Sequence, residues 1–446
     1  MIIGLLVLTV SIFSLPQINV NKTDTGNLEV ELKLMKFTMG NNGEIIDFRI
    51  FETRRRDFIQ IYQYGLDSFD IFDVSGEKIF PSHYEYSIDY NNEFLDVTYY
   101  FENNGIKNYR FYNNSYFQYE VTISGLTGNV AIPLISFQYG TRKIDNKLVS
   151  YIDQVFTGSK TEKFKAVMAI ETSSEISDFQ YYTEGITTAT VYMGPLKKTF
   201  IREVFSDETN KDIDAMLKNL NAYSWTYYIV FWFTEFLWFL FKITGNFGWA
   251  IIIFTILIRL VLYPLYHKQT KTMLAMRKMQ PEMDKIKKKY KDPQKQQEEL
   301  AKLYKEHNVN PAGCLTSLIQ LPVFIVLWQA IQYFGESFAY NPRFLFWNDL
   351  SDGGFSKNFL LILISLAAYM LNALLTSQNA KMAWQNIIMT LIFPIFLANL
   401  PSGVFLYYTV NALIQLVMTF FNNRKHDIKG LTLRELFGLG PKPVRR

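Results

Sequence analysis

Long apolar runs confined to the C-terminal half constrain this chain most. They lie at Phe247–Tyr266, Ala312–Phe334, Phe359–Thr376, Trp384–Leu400 and Val404–Phe421. Each approaches or reaches the ~20 residues that a helix needs to cross a bilayer. Hydrocarbon offers no hydrogen-bond partners, so a chain entering it repeatedly must do so as helices that satisfy their own backbone. The preceding half is different in kind. From Lys22 to Asp214 the sequence is polar, β-branched and rich in Tyr and Phe. With 446 residues there is room for two domains, the first soluble and the second polytopic in a membrane.

Charge orders the spans. The stretch Lys268–Glu306 carries twelve Lys/Arg and six Asp/Glu, and the tail 422–446 carries seven and two. Segments with such an excess stay in the cytoplasm. Met1–Leu15 is a further apolar segment that ends at Pro16. It lacks a Lys/Arg-rich start and a small-residue cleavage site, and reads as an uncleaved anchor over 1–17. Trp225–Ile243 is dense in Trp, Tyr and Phe, with Glu235 in its middle, which suits the membrane interface better than the hydrocarbon centre. If it crossed, both basic segments would lie outside. It is therefore expected flat on the outer surface as an amphipathic helix. The expectation is six spans, an anchor plus a five-helix core over 246–421. Both termini would be cytoplasmic and residues 18–245 periplasmic, with a linker and interfacial helices over 206–245.

The outer domain, 18–205, reads as an all-β sandwich. Leu28–Phe37 and Phe58–Tyr62 alternate apolar and polar residues, predicting a strand over each. Asn42-Gly43, Asn104-Gly105 and Ser124-Gly125 mark turns. Ser206–Leu220 reads as a polar helix whose Asp207 and Glu208 suit its N-terminal dipole. No catalytic pattern is present, and His83, the only histidine of the domain, reads as structural.

Within the core the informative residue is Arg259, flanked by Ile256-Leu257-Ile258 and Leu260-Val261-Leu262. An arginine at a helix centre costs about 2.5–3.5 kcal/mol on insertion scales. None of the five core spans contains Asp or Glu, so none can neutralise it. Two readings follow. The side chain snorkels towards His267, about 12 Å further along a helix, or it faces a water-filled, positively charged cavity. Thr255 shares its helix face. Thr316, Gln320, Gln332, Asn372, Asn399, Asn411 and Gln415 add polar groups, each by itself better suited to an interhelical contact than to a cavity wall. If only a diffuse positive field matters, lysine should replace Arg259.

The basic stretch 268–308 reads as a helical hairpin, Lys268–Tyr290 and Gln294–His307, turning at Lys291-Asp292-Pro293. Pro281 kinks or starts its first arm. Met273, Met276, Met279 and Met283 recur at helical spacing, either as the seam of the hairpin or as an adaptable apolar surface for client segments. The basic faces suit anionic lipid headgroups or ribosomal RNA, although a solvated face accounts for most charge runs. There is no G-x-x-x-x-G-K-[ST], H-E-x-x-H or G-x-S-x-G, and no carboxylate pair in the spans. Nucleotide hydrolysis, proteolysis and proton-coupled transport are therefore disfavoured, and no cofactor is expected. Cys314 is the sole cysteine, so no intrachain disulfide can form. A transporter, for which no repeat is evident, and a membrane enzyme built on His267 or His307 are the competing classes.

Several ordered motifs carry a resemblance. They are Arg259 within Ile258–Leu265 followed by the basic hairpin, Asn310-Pro311-Ala312-Gly313-Cys314, Ile319-Gln320-Leu321-Pro322-Val323-Phe324, and Leu400-Pro401-Ser402-Gly403-Val404-Phe405-Leu406-Tyr407-Tyr408. In this order they resemble the YidC/Oxa/Alb family of membrane protein insertases, over about Trp225 to Lys425. The anchor and outer β domain are similar to the form found in two-membraned bacteria. The resemblance implies a non-enzymatic insertase and chaperone with a hydrophilic groove in the inner leaflet, closed to the outside. It places Arg259, Thr255 and Gln320 in that groove, and Leu321, Phe324, Phe396 and Tyr408 against the client. It links the hairpin, with Met273, Met276, Met279 and Met283, and the tail to client capture and ribosome contact. Expected partners are newly made membrane proteins, the Sec translocon, the ribosome and lipids.

Overall fold

The structure is a computed structural model. It describes residues 16–438 apart from 53–56, 64–67, 103, 115, 134–137, 140–141, 144–148, 151–155, 161–164, 220–224, 265–274, 276–278, 280, 308–319, 341–343, 346, 348–349, 378–379, 397–398 and 426–428. Residues 1–15 of the expected anchor and 439–446 of the tail therefore lie outside the described residues. The chain forms two compact units, Met1–Trp225 and Thr226–Arg446.

The first unit is built on antiparallel sheets. A five-stranded sheet runs in sequence order through 19–22, 28–31, 35–39, 45–52 and 57–63. An eight-stranded sheet has at its centre 186–195, 118–124, 106–112 and 94–100, with 83–88 on one edge. The central strands alternate strictly. Leu95, Val97 and Tyr99, then Tyr109 and Phe111, then Tyr119, Val121 and Ile123, are buried. The opposite face carries pairs such as Asp96 and Arg110, which sit directly across from one another and share two hydrogen bonds of 2.9 Å. Rings close the two sheets into a sandwich. Phe37 stacks on Phe111 at 3.9 Å and Phe48 meets Tyr119 at 6.0 Å. Burying rings of this size dominates the core energy.

Two sequence expectations change here. Leu28–Phe37 is a hairpin of two strands, 28–31 and 35–39, with Leu28 opposite Met39, where a single strand was expected. The alternation slips at Leu34-Met35, both buried, and the Leu32 N–H donates to the Met35 carbonyl where the chain reverses. The β domain is also followed by an unanticipated short helix, α1 (Lys198–Val204), against its last strand. The polar helix α2 (Asp207–Asn219) forms as expected, with Asp207 and Glu208 in its first turn.

The second unit is helical. It comprises α3 (Trp225–Thr244), α4 (Phe247–Val261), α5 (Pro293–Glu306), α6 (Gln320–Tyr333), α7 (Gly335–Tyr340), α8 (Phe355–Thr376), α9 (Ala380–Phe396), α10 (Ser402–Lys425) and α11 (Leu433–Leu436). Asn246 starts α4 by accepting from the Gly248 and Trp249 N–H groups. α10 is the central element. It packs on α8, α4 and α6, and its residues from Ser402 to Thr409 are all buried. Around it the bundle turns apolar side chains outwards, among them Ile325, Trp328, Phe359, Leu363, Ile388 and Leu413. Such a surface fits hydrocarbon rather than water. Among the described residues α8 and α10 are long and apolar enough to cross a bilayer; α4 and the described part of α6 are shorter, and α9 holds Pro394 inside its length.

The aromatic helix α3 is two-faced, though not in the expected apolar-polar sense. Leu237, Trp238 and Leu240 are buried. Phe233 and Phe236 meet Phe254 of α4 at 5.6 Å, and Trp238 stacks on Phe334 at 5.4 Å. The other face exposes Trp232, Phe239 and Ile243.

Candidate functional site

Arg259 sits in the last turn of α4, 4% exposed. Its guanidinium points at α10. Nε donates to Asn411 Oδ1 at 2.5 Å, a terminal nitrogen donates to Gln415 Oε1 at 3.0 Å, and the other donates to the Asn411 carbonyl at 3.3 Å. The side chain is thus turned into the helix bundle and held by protein groups of α10. Two neutral amides one turn apart on α10 replace its hydration, as a buried cation requires. From sequence each suited an interhelical contact better than a cavity wall, and an interhelical contact is what each makes. Their four-residue spacing, which puts them on one helix face, was the signal for a shared partner. The geometry also changes the expectation for lysine. Three donors in a planar fork are in use, and a single ammonium does not reproduce that pattern.

Thr255 is buried one turn earlier, and its hydroxyl donates to the Ile251 carbonyl of its own helix at 2.6 Å. Phe324 and Tyr408 are also buried. The Phe324 ring lies 6.4 Å from Tyr407, and Tyr408 packs on Tyr369 of α8 at 5.2 Å. The structure thus brings Arg259, Phe324 and Tyr408 onto the elements that meet at α10. The backbone of Gln320, Leu321 and Phe396 is helical, while their side chains lie outside the described residues.

One end of the bundle is fastened by polar contacts that sequence reading did not single out. Asn358 of α8 donates to the Leu400 carbonyl at 2.8 Å and accepts from the Ser402 hydroxyl at 2.8 Å. The Ser402 N–H donates to the Asp352 carbonyl and the Gly403 N–H to the Leu350 carbonyl. Gly353 bridges Pro401 so closely that a Cβ there would come within 2.3 Å of the Leu400 oxygen. The Pro-Ser-Gly run at 401–403 was the available signal, since Ser at a helix start marks an N-terminus.

Of the basic hairpin, residues 281–289 and α5 are helical. Asp292 caps α5, accepting from the Gln294 N–H at 3.0 Å, with Pro293 in its first turn. Met279, Met283 and Leu303 are buried together, with Ala275, Ile286, Leu300 and Tyr304 packed around them. Met279 and Met283 thus occupy the seam rather than the client-facing or ribosome-facing surface. Met273 and Met276 lie outside the described residues. The cations Lys285, Lys287, Lys288 and Lys289 are exposed.

The chain is similar to known proteins in sequence and in fold. Residues 239–429 match the family model described as 60Kd inner membrane protein. The membrane protein insertase YidC of Thermotoga maritima is 40% identical over 398 residues, covering 86% of each chain. The chain belongs to the YidC family. A crystal structure of an active YidC insertase with its first transmembrane domain resolved matches with a TM-score of 0.70 and 35% identity, over 94% of this chain and 98% of that one. The crystal structure of YidC from Thermotoga maritima matches with a TM-score of 0.62 and 26% identity, over 91% and 100%. Both likenesses span the β domain and the helical core, so the family form with a periplasmic domain is the one present here.

Proposed function

We propose that this protein inserts client transmembrane segments into the inner membrane, with the α4–α6–α10 meeting point as the place where a client is received. The observation that carries the site is Arg259, a buried cation held by Asn411 and Gln415 in a core whose apolar spans contain no acid. A client's polar outer segment pays several kcal/mol per charged or unsatisfied group to cross hydrocarbon. A hydrophilic, cationic groove within the inner leaflet shortens that crossing and attracts acidic segments. Phe324 and Tyr408 lie inside the bundle, so a client that reaches them parts α6 or α8 from α10. On the resemblance of their motifs, Leu321 and Phe396 are proposed as further client contacts, and Thr255 and Gln320 as further groove residues. The apolar client then leaves into lipid, driven by its own hydrophobic transfer. No catalytic chemistry and no nucleotide hydrolysis by this chain is needed.

The hairpin acts through its exposed lysines, which suit ribosomal RNA and anionic lipid, on the cytoplasmic side. The Sec translocon is a further proposed partner, for clients too large to cross alone.

The test is insertion of a short client with an acidic outer segment into liposomes holding only this protein, read by protease protection without nucleotide. We expect protection well above empty liposomes. Arg259→Ala should lower it about tenfold, equivalent to ~1.4 kcal/mol, and should affect a client with a neutral outer segment less. Equal loss for both clients overturns the electrostatic role, and no gain over empty liposomes overturns autonomous insertion.

A further inference from the structure

We infer that the core carries a specific site for one anionic phospholipid at the end where α8 and α10 finish. There a cavity of about 510 Å³ opens between the two helices and the segment that follows α10. Leu371 and Leu375 of α8, Val417 and Phe420 of α10, and Leu431 and Leu433 of the following segment form its walls. The third wall is fixed in place. The Leu431 N–H donates to the Leu374 carbonyl at 2.9 Å, and Asn423 donates to the Leu375 carbonyl at 2.7 Å. Gly430 lies so close to α8 that a Cβ would come within 2.9 Å of the Leu375 Cα. Leu436 of α11 is buried with Ala373, Leu374, Ala383 and Ile387, and its carbonyl accepts from Trp384 Nε1 at 3.3 Å. These contacts hold the walls of a groove that is open along one side.

Its size and its rim identify the occupant. A transmembrane helix ~10–12 Å across and ~30 Å long occupies roughly 3,000 Å³, far more than the cavity holds. An acyl chain is narrow enough, and the volume lies in the range of small-molecule sites, about 300–1,000 Å³. The rim is cationic. Arg424 and Lys425 follow Phe420 and Phe421 by one helical turn and so share their face, and Lys429 precedes the wall formed by Leu431; all three are exposed. Arg434 adds a fourth cation beside Leu433. Against them stand Asp427, outside the described residues, and Glu435, whose carboxylate is engaged by the Thr432 N–H and hydroxyl at 2.8 Å each. An apolar slot with a basic mouth, where two spans reach the interface, fits an acyl chain below a phosphate. The site rests on the membrane location of the core and is independent of the insertion reading.

The experiment is native mass spectrometry of the whole chain in neutral detergent. Phosphatidylglycerol or phosphatidylcholine with the same acyl chains is added at equal concentration. One phosphatidylglycerol should be retained about tenfold more than phosphatidylcholine, a modest ratio for three to four cations near a headgroup. Replacing Arg424, Lys425 and Lys429 together by Gln should reduce it to the phosphatidylcholine level. Val417→Trp, at a position 51% exposed, should fill the slot and remove both lipids. Ile388→Trp, at an exposed position on α9, should change neither. An unchanged melting temperature confirms that the variants fold, and Leu371→Phe fills the same slot by a smaller change if Val417→Trp does not. Equal retention of the two lipids, retention in both slot-filling variants, or no lipid retained by the wild type overturns the proposal. A dimer that Val417→Trp disperses overturns it in favour of a second copy of this chain.

Discussion

Arg259 shows how a charge that a bilayer disfavours is kept in a fold. Its cost is met by two amides and a carbonyl on α10, so the residue joins α4 to α10 as well as supplying charge. These two roles separate experimentally. Arg259→Lys keeps the charge and loses most of the fork, so the protein should lose about 1.5–3 kcal/mol of stability, the worth of hydrogen bonds to a charged group. It should still insert acidic clients better than Arg259→Ala. Thermal unfolding and the protection assay together check this, and lysine behaving like alanine in both would show that geometry alone matters.

A second buried cation, Lys107 of the β domain, makes a pH prediction. Its ammonium donates to the Gly43 and Phe69 carbonyls at 2.7 and 3.0 Å and lies 5.3 Å from the centre of the Tyr109 ring. Burial pushes its amine down to about 8, with Asp70 acting in the opposite direction. In the unfolded chain the amine keeps its ordinary value near 10.4. Between those two values the unfolded state binds more protons, so this group's contribution to stability rises with pH. The unfolding free energy of wild type relative to Lys107→Met should increase by about 2 kcal/mol between pH 7 and pH 10. Hydrogen exchange of the strand 106–112 measures it. A difference that stays flat would show an amine of ordinary pKa.

At the scale of elements, the polar fastening between α8 and α10 should be the firmest part of the core. Asn358→Ala removes a donor to Leu400 and an acceptor for Ser402, leaving buried groups unsatisfied at about 1–3 kcal/mol each. A melting temperature lowered by several degrees is expected, with client binding at the opposite end affected less. The hairpin behaves differently. Replacing Lys285, Lys288 and Lys289 by Gln should leave its packed seam intact and weaken salt-sensitive ribosome co-sedimentation. Leu303→Ala should cost about 2–5 kcal/mol of hairpin stability through the cavity it leaves.

The elements also show which features a sequence carries. Apolar length placed the helices α8 and α10 within a few residues, because hydrocarbon admits little else. Asp292-Pro293 placed the start of α5, because a cap and a first-turn proline act locally. Alternation placed the strand at Phe58–Tyr62, which forms within 57–63, and failed at Leu34-Met35, where one residue out of phase was the only sign of a hairpin. Partnership was not legible in the same way. Asn411 and Gln415 had the spacing of a shared ligand. Nothing local, however, said that Arg259, 152 residues from Asn411 in sequence, would be the group they share. The methionines illustrate the same limit. Their spacing fits a seam and a client surface equally, and only packing against Leu303 assigns Met279 and Met283 to the seam.

For the whole molecule, the proposed orientation puts the exposed lysines of the hairpin and the cations that end α10 together on the cytoplasmic face, and it requires that α3 lie on the surface. α3 exposes Trp232 and Phe239 and, despite its twenty residues, is not among the helices apolar enough to cross. Those exposed rings suit a headgroup boundary. Impermeant maleimide labelling in intact spheroplasts tests this directly. With Cys314, the only native thiol, replaced by Ser, Tyr90→Cys in the β domain should label from outside, since Tyr90 is fully open to solvent. Lys288→Cys in the hairpin should label only after the membrane is permeabilised. If both label in intact cells, α3 crosses the membrane, and the groove around Arg259 then opens towards the periplasm. A client could not be received there from the ribosome, so this single pattern would remove the orientation and the insertion route together.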